Sequence, residues 1–86
     1  MSGPQTVTSV SIRVKFFASL RERMGRSEAR VQVPAGSSVR AVWQQASEDE
    51  AVPERLLVAI NMKYVDWQQT VAEGDEVAFF PPVTGG

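Results

Sequence analysis

The sequence predicts an α+β roll in which one main helix packs on a mixed sheet, and three observations predict it. Apolar and polar residues alternate in two early segments, Val10 to Phe16 and Ala29 to Val33, the two-residue period of half-buried strands. Val39, Val42, Trp43 and Ala46 instead follow i, i+3, i+4, i+7 spacing, which lays one apolar stripe along a helix. Beyond that helix the apolar residues come in short runs divided by turn residues, the pattern of two or three further strands.

Taken in order, Val10, Ile12, Val14 and Phe16 form the inward set of the first strand, with Ser11, Arg13 and Lys15 between them. Ala18 to Met24 is rich in helix formers and closed by Gly25, a short helix with glycine at its C-terminal cap. Ala29, Val31 and Val33 make the second strand, ended by Pro34-Ala35-Gly36, so the first two strands read as a hairpin with an elaborated connection. Ser37 or Ser38 caps the main helix, which runs from about Val39 to Gln45 or slightly beyond, because a serine hydroxyl accepts a bond from a free N–H of the first turn. Ser47 to Arg55 is acidic and reads as a surface loop. Leu56 to Ile60 is a buried strand, and Met62 to Trp67 a second extended piece after a turn at Asn61. Glu73-Gly74-Asp75-Glu76 turns the chain into a last strand, Val77 to Phe80. Pro81 stops that strand because proline cannot donate to a ladder. This order, strand, strand, helix and then two or three strands, is the β-grasp arrangement. The boundaries expected are an N-terminal extension at 1–11, a β-grasp domain at 12–80 and a flexible extended tail at 81–86.

Eighty-six residues make one domain, and a chain of that size buries only about 60% of its unfolded surface. It holds one core and little else. A net charge of −1 gives no electrostatic case for nucleic acid. The five arginines between Arg13 and Arg30 are separated by apolar residues, Glu22 and Glu28, and read as solvated faces. No stretch approaches the roughly 18 apolar residues of a membrane span. Met1 to Ser9 lacks the basic and apolar regions of a secretory signal, so a cytoplasmic protein with no membrane partner is expected.

Absent residue types exclude more than the charge does. There is no Cys, which removes disulfides, thiolate nucleophiles and iron–sulfur ligation together, and with them a plant-type ferredoxin on this fold. There is also no His, hence neither the usual general base near neutral pH nor the commonest metal ligand. Glu73, Asp75 and Glu76 lack a second carboxylate segment and read as turn residues on a solvated edge, so no metal is expected. The group best placed for reaction is the C-terminal carboxylate of Gly86, at the end of Phe80-Pro81-Pro82-Val83-Thr84-Gly85-Gly86.

Val14-Lys15-Phe16-Phe17-Ala18, Val58-Ala59-Ile60-Asn61 and the run GDEVAFFPPVTGG from Gly74 to Gly86 resemble the molybdopterin synthase small subunit, a family of ubiquitin-like sulfur carriers. The resemblance covers about Ile12 to Gly86. It implies that Gly86 is adenylated by an E1-like enzyme with ATP, passing through a transient acyl-adenylate, and is then converted to a thiocarboxylate by a sulfur-donor system. It further implies that the charged tail enters the large subunit, where the sulfur goes to cyclic pyranopterin monophosphate to build the dithiolene of molybdopterin. The resemblance makes the chain a carrier and not an enzyme, with catalytic side chains in the large subunit, no permanently bound cofactor, and a working assembly of two small and two large subunits. Its rivals are a ubiquitin-like modifier conjugated to lysines, the sulfur carrier of thiamine synthesis, and a pure binding module.

The residues suit such a tail. At about 3.3 Å per residue, Pro81 to Gly86 reach roughly 20 Å when extended, enough for Pro81, Pro82, Val83, Thr84 and Gly85 to thread a buried site. Without Cβ atoms, Gly85 and Gly86 let groups approach the reacting carbonyl closely, and the proline pair lowers the entropy lost on insertion. Because successive strand side chains point to opposite faces, Phe79 and Phe80 cannot both be core, nor can Phe16 and Phe17. With Phe16 inward, Phe17 and Phe80, joined by Tyr64, are expected to form an apolar partner surface at the base of the tail.

Overall fold

The computed structural model describes residues 8–48 and 55–81. Its elements run β1 (Ser9–Phe16), α1 (Ser19–Met24), β2 (Glu28–Pro34), α2 (Val39–Ser47), β3 (Leu57–Ile60), β4 (Lys63–Tyr64) and β5 (Glu76–Phe80). The five strands form one mixed sheet in the order β2-β1-β5-β3-β4. Antiparallel β1 and β2 make the hairpin, and β1 runs parallel to β5 with Val14 beside Val77 and Phe16 beside Phe79. The β-grasp expectation therefore holds, with a long crossover joining the two central strands.

The alternation in β1 sorts its residues by face. Val10, Ile12, Val14 and Phe16 are buried, and so are Val33, Val58, Val77 and Phe79 on neighbouring strands. Against them α2 lays Val39, Val42, Trp43 and Ala46, all buried, as the helical spacing predicts. Four rings form the centre. Trp43 meets Phe16, Phe79 and Trp67 edge-on at centroid distances of 6.5, 5.1 and 6.3 Å, and Phe79 stacks on Phe16 at 6.2 Å and on Trp67 at 5.6 Å. Edge-to-face and offset pairs at these separations add to the stabilisation from burial alone.

Two boundaries and one capping bond among these elements differ from expectation. β1 begins at Ser9, so Ser9 to Ser11 belong to the sheet and not to the N-terminal extension. Ser9, Val10 and Ser11 pair with Pro34, Val33 and Gln32, and the Ser11 N–H donates to Glu73 Oε1 at 2.8 Å. Ser38 occupies the N-cap of α2, yet its hydroxyl makes no capping bond. Backbone supplies those bonds instead, for the Val39 and Arg40 N–H groups donate to the carbonyls of Gln69 and Trp67 at 2.9 and 3.1 Å. Ser47, assigned to the acidic loop, is the buried last residue of α2, while residues 49–54 of that loop lie outside the described residues. At the same end Arg26 Nη2 donates to the Ala46 carbonyl at 2.9 Å, satisfying one of the acceptors that a helix C-terminus leaves open.

The turns are held by side chains. Ile60 pairs with Lys63 across a two-residue loop in which Asn61 and Met62 have φ of 49° and 73°, the positive values of a type I′ hairpin. Asn61 Nδ2 donates to Asp75 Oδ1 and Asn61 Oδ1 accepts from the Glu76 N–H, each at 3.0 Å. Asp75 Oδ2 also accepts from the Ala72 N–H at 2.8 Å. Gly74, at φ 83°, takes a conformation that a Cβ would strain. The β3–β4 hairpin is thereby tied to the start of β5. Asn61→Ala is expected to cost about 1–2 kcal/mol, from two lost bonds and a residue less tolerant of positive φ. Asn61→Gly, which relieves the backbone but not the bonds, should cost less. Urea denaturation of both variants checks the order, and equal losses would show that backbone conformation contributes nothing there. Among the described residues no helix is long and apolar enough to cross a membrane.

Candidate docking face and tail base

β5 delivers the chain to its tail. Alternation turns Phe79 into the core, fully buried, and leaves Phe80 half-buried on the other face. The same split falls on β1, where Phe16 is buried and Phe17 is 45% exposed. The Phe17 N–H donates to the Phe79 carbonyl at 3.1 Å, extending the parallel ladder by one residue. The chain then turns away through Ala18, at φ 55° and ψ −131°, with the Leu20 N–H returning to the Phe17 carbonyl at 3.1 Å. This backbone is normally reserved for glycine at the first central position of a type II′ turn. It leaves the Phe17 ring edge-on to Phe80, at 6.0 Å and 89°.

Tyr64 completes the group. Its ring lies 5.6 Å from Phe80, and 71% of the residue is exposed. The three rings expected to form one surface, Phe17, Phe80 and Tyr64, are thus brought together on the sheet face opposite α2. Pro81, also half-buried, follows directly. Pro82, Val83, Thr84, Gly85 and Gly86 lie outside the described residues.

Between the rings is an open concavity of about 510 Å³. Cross-strand register explains it. Tyr64, Ala59 and Ala78 stand in one row, so two small residues form a floor among Phe17, Phe80, Tyr64 and Met62, while Lys15 and Glu76 close one side. Met62 was not anticipated as part of this face. At 93% exposure it is the most exposed large apolar residue described, held there by its positive φ. The signal that points to it is the two-residue hairpin, since β4 must fold back beside β3 with the loop residues at its end. Leu57, opposite Phe80 in register and 37% exposed, extends the apolar surface. Contiguous exposed apolar area of this kind is uncommon on the surface of a soluble monomer.

Charged groups here are structural. Glu76 faces Arg13 at 3.5 Å and Lys15 at 3.6 Å, and Glu73 and Asp75 are occupied by the backbone and Asn61 bonds already described. No group of side chains among the described residues could hold a metal ion. The described face offers shape and apolar area beside the point where the tail departs, with Lys15 and Glu76 paired at its edge.

The sequence profile of the ThiS family matches residues 14–86. The chain belongs to the ThiS family. Among its relatives, the molybdopterin synthase sulfur carrier subunit of Escherichia coli K12 is 39% identical over 84 residues, an alignment covering 87% of this chain and 99% of that protein. Of solved structures, SAMP1 from Haloferax volcanii superposes with a TM-score of 0.78 at 27% identity, covering 88% of this chain and 99% of that one. A chain from the complex of subunits 1 and 2 of the Helicobacter pylori molybdopterin-converting factor shares the fold, with a TM-score of 0.59 at 23% identity over 90% of this chain and all of that one. The resemblance seen in GDEVAFFPPVTGG thus extends to nearly the full length.

Proposed function

We propose that this chain is the sulfur carrier of molybdenum cofactor biosynthesis, the small subunit of molybdopterin synthase. The observation that carries the reading is the near-complete alignment with the Escherichia coli sulfur carrier subunit, and the aromatic face at the base of the tail supports it.

The chemistry proceeds in three steps. A carboxylate resists substitution because its leaving group would be oxide. The E1-like partner uses ATP to form the Gly86 acyl-adenylate, releasing pyrophosphate. Sulfide-level sulfur from a donor then attacks the acyl carbonyl and displaces AMP, leaving a thiocarboxylate, and no cofactor stays on the carrier. The large subunit supplies the catalytic side chains. There the thiocarboxylate sulfur bonds to cyclic pyranopterin monophosphate, giving a thioester that joins carrier and pterin, and water cleaves its acyl C–S bond so that the sulfur stays on the pterin and Gly86 returns as a carboxylate. Each molybdopterin needs two sulfurs, so carriers exchange within a cytoplasmic assembly of two small and two large subunits. The face formed by Phe17, Phe80 and Tyr64 docks outside while residues 81–86 thread the site.

The test is the intact mass of the chain after incubation with an E1-like enzyme, ATP and a sulfur donor. The expected result is an oxygen-to-sulfur mass gain, followed by sulfur transfer to the pterin precursor when the large subunit is added. Covalent adducts with protein lysines in place of that gain would establish a modifier. An unchanged mass, with the enzyme active on a known carrier, would reject the carrier reading for that pairing.

A further inference from the structure

The sheet face that bears the aromatic rings has a second half. Separated in sequence, Arg13 on β1 and Arg30 on β2 stand directly opposite each other in the antiparallel register, and both are exposed. Cβ atoms of such pairs are about 5 Å apart, and like charges placed this way destabilise a sheet. One carboxylate, Glu76, answers both Arg13 and Lys15. Glu28 stands opposite Lys15, but among the described residues neither Glu28 nor Arg30 forms an ion pair. Among the described residues Arg30 therefore faces a like charge with no ion pair to offset it. The row Arg30–Arg13–Glu76 leads into the concavity, whose edge Lys15 and Glu76 form.

We propose that Arg13 and Arg30 receive carboxylates of the large subunit, so that one partner surface covers the aromatic rings and the arginine pair together. The proposal rests on the functional reading above. Guanidinium groups present planar forks suited to bidentate carboxylate binding, and a partner's negative charge would offset the repulsion that the free chain carries. With a net charge of only −1, the chain as a whole provides little steering. An arginine pair beside an apolar surface orients the encounter and fixes its register.

The experiment is calorimetric titration of the full chain with the large subunit of molybdopterin synthase from the same genome, at about 0.1 M and about 1 M salt, where screening lengths are about 10 and 3 Å. Arg30→Glu is expected to weaken binding about tenfold and Arg30→Gln about threefold at the lower salt, with both converging on the unmodified chain at the higher salt. Thermal unfolding of both variants should match or exceed that of the unmodified chain, which separates docking from folding. Unmodified binding by Arg30→Glu at low salt would overturn the proposal, as would an equal loss at both salt concentrations, which would indicate packing instead of charge. If the unmodified chain fails to bind at either salt, the functional reading fails and this inference falls with it.

Discussion

A chain lacking Gly86 is expected to gain no sulfur under conditions that thiocarboxylate the full-length chain. The deletion still leaves a glycine carboxylate, because Gly85 becomes the terminus, so the chemistry of the end group is unchanged. What changes is reach. One extended residue spans about 3.3 Å, and a displacement of about 1 Å between reacting groups can cost a hundredfold in rate. On the proposed docking through Phe17 and Phe80, the shortened tail cannot bring its carbonyl to the same place. Gly86→Ala keeps the length but adds a Cβ beside that carbonyl, and it should slow the reaction while preserving docking. Intact-mass time courses distinguish the three chains. Sulfur gain by the deleted chain at the full-length rate would remove the argument that the body sets the position of the end.

Trp43→Ala is expected to bring the fold close to its limit. The indole is fully buried and is the ring that α2 contributes between Phe16, Phe79 and Trp67. Truncating a buried aromatic costs about 3–5 kcal/mol, against a total of about 5–10 kcal/mol for a domain of this size. No apolar side chain elsewhere on α2 can swing into the space, since Val39, Val42 and Ala46 are short and already buried. Trp43→Phe should lose less than half as much. Guanidinium unfolding of both variants checks this, and a loss below about 1 kcal/mol for alanine would mean that the core can collapse around the gap.

The parts of the fold legible in the sequence are those fixed by local periodicity. Alternation in Val10 to Phe16 assigns each side chain of β1 to its face, and the same rule divides Phe79 from Phe80. Gly25 and Gly74 take the positive φ expected of them, at 75° and 83°. What periodicity does not carry is pairing between distant segments. The parallel alignment of β1 with β5, the placement of Arg13 opposite Arg30, and the row Tyr64-Ala59-Ala78 all depend on register across long loops. Ser38 shows the reverse case, where a sound local rule for a cap is superseded because the Trp67–Gln69 backbone already satisfies the first turn. Met62 was missed for a related reason: its exposure follows from the pairing of β3 with β4 across a two-residue loop, and only that hairpin, not the methionine itself, points to it.

The division of rings between the two sides of the sheet has an optical consequence. Both tryptophans of the chain, Trp43 and Trp67, pack with Phe16 and Phe79 on the α2 side, while its single tyrosine, Tyr64, lies with Phe17 and Phe80 on the other. The near-ultraviolet chromophores are thus sorted by function. Indole emission follows the integrity of the core, and phenol absorbance follows what covers the opposite face, so one unlabelled sample carries separate spectroscopic channels for folding and for docking.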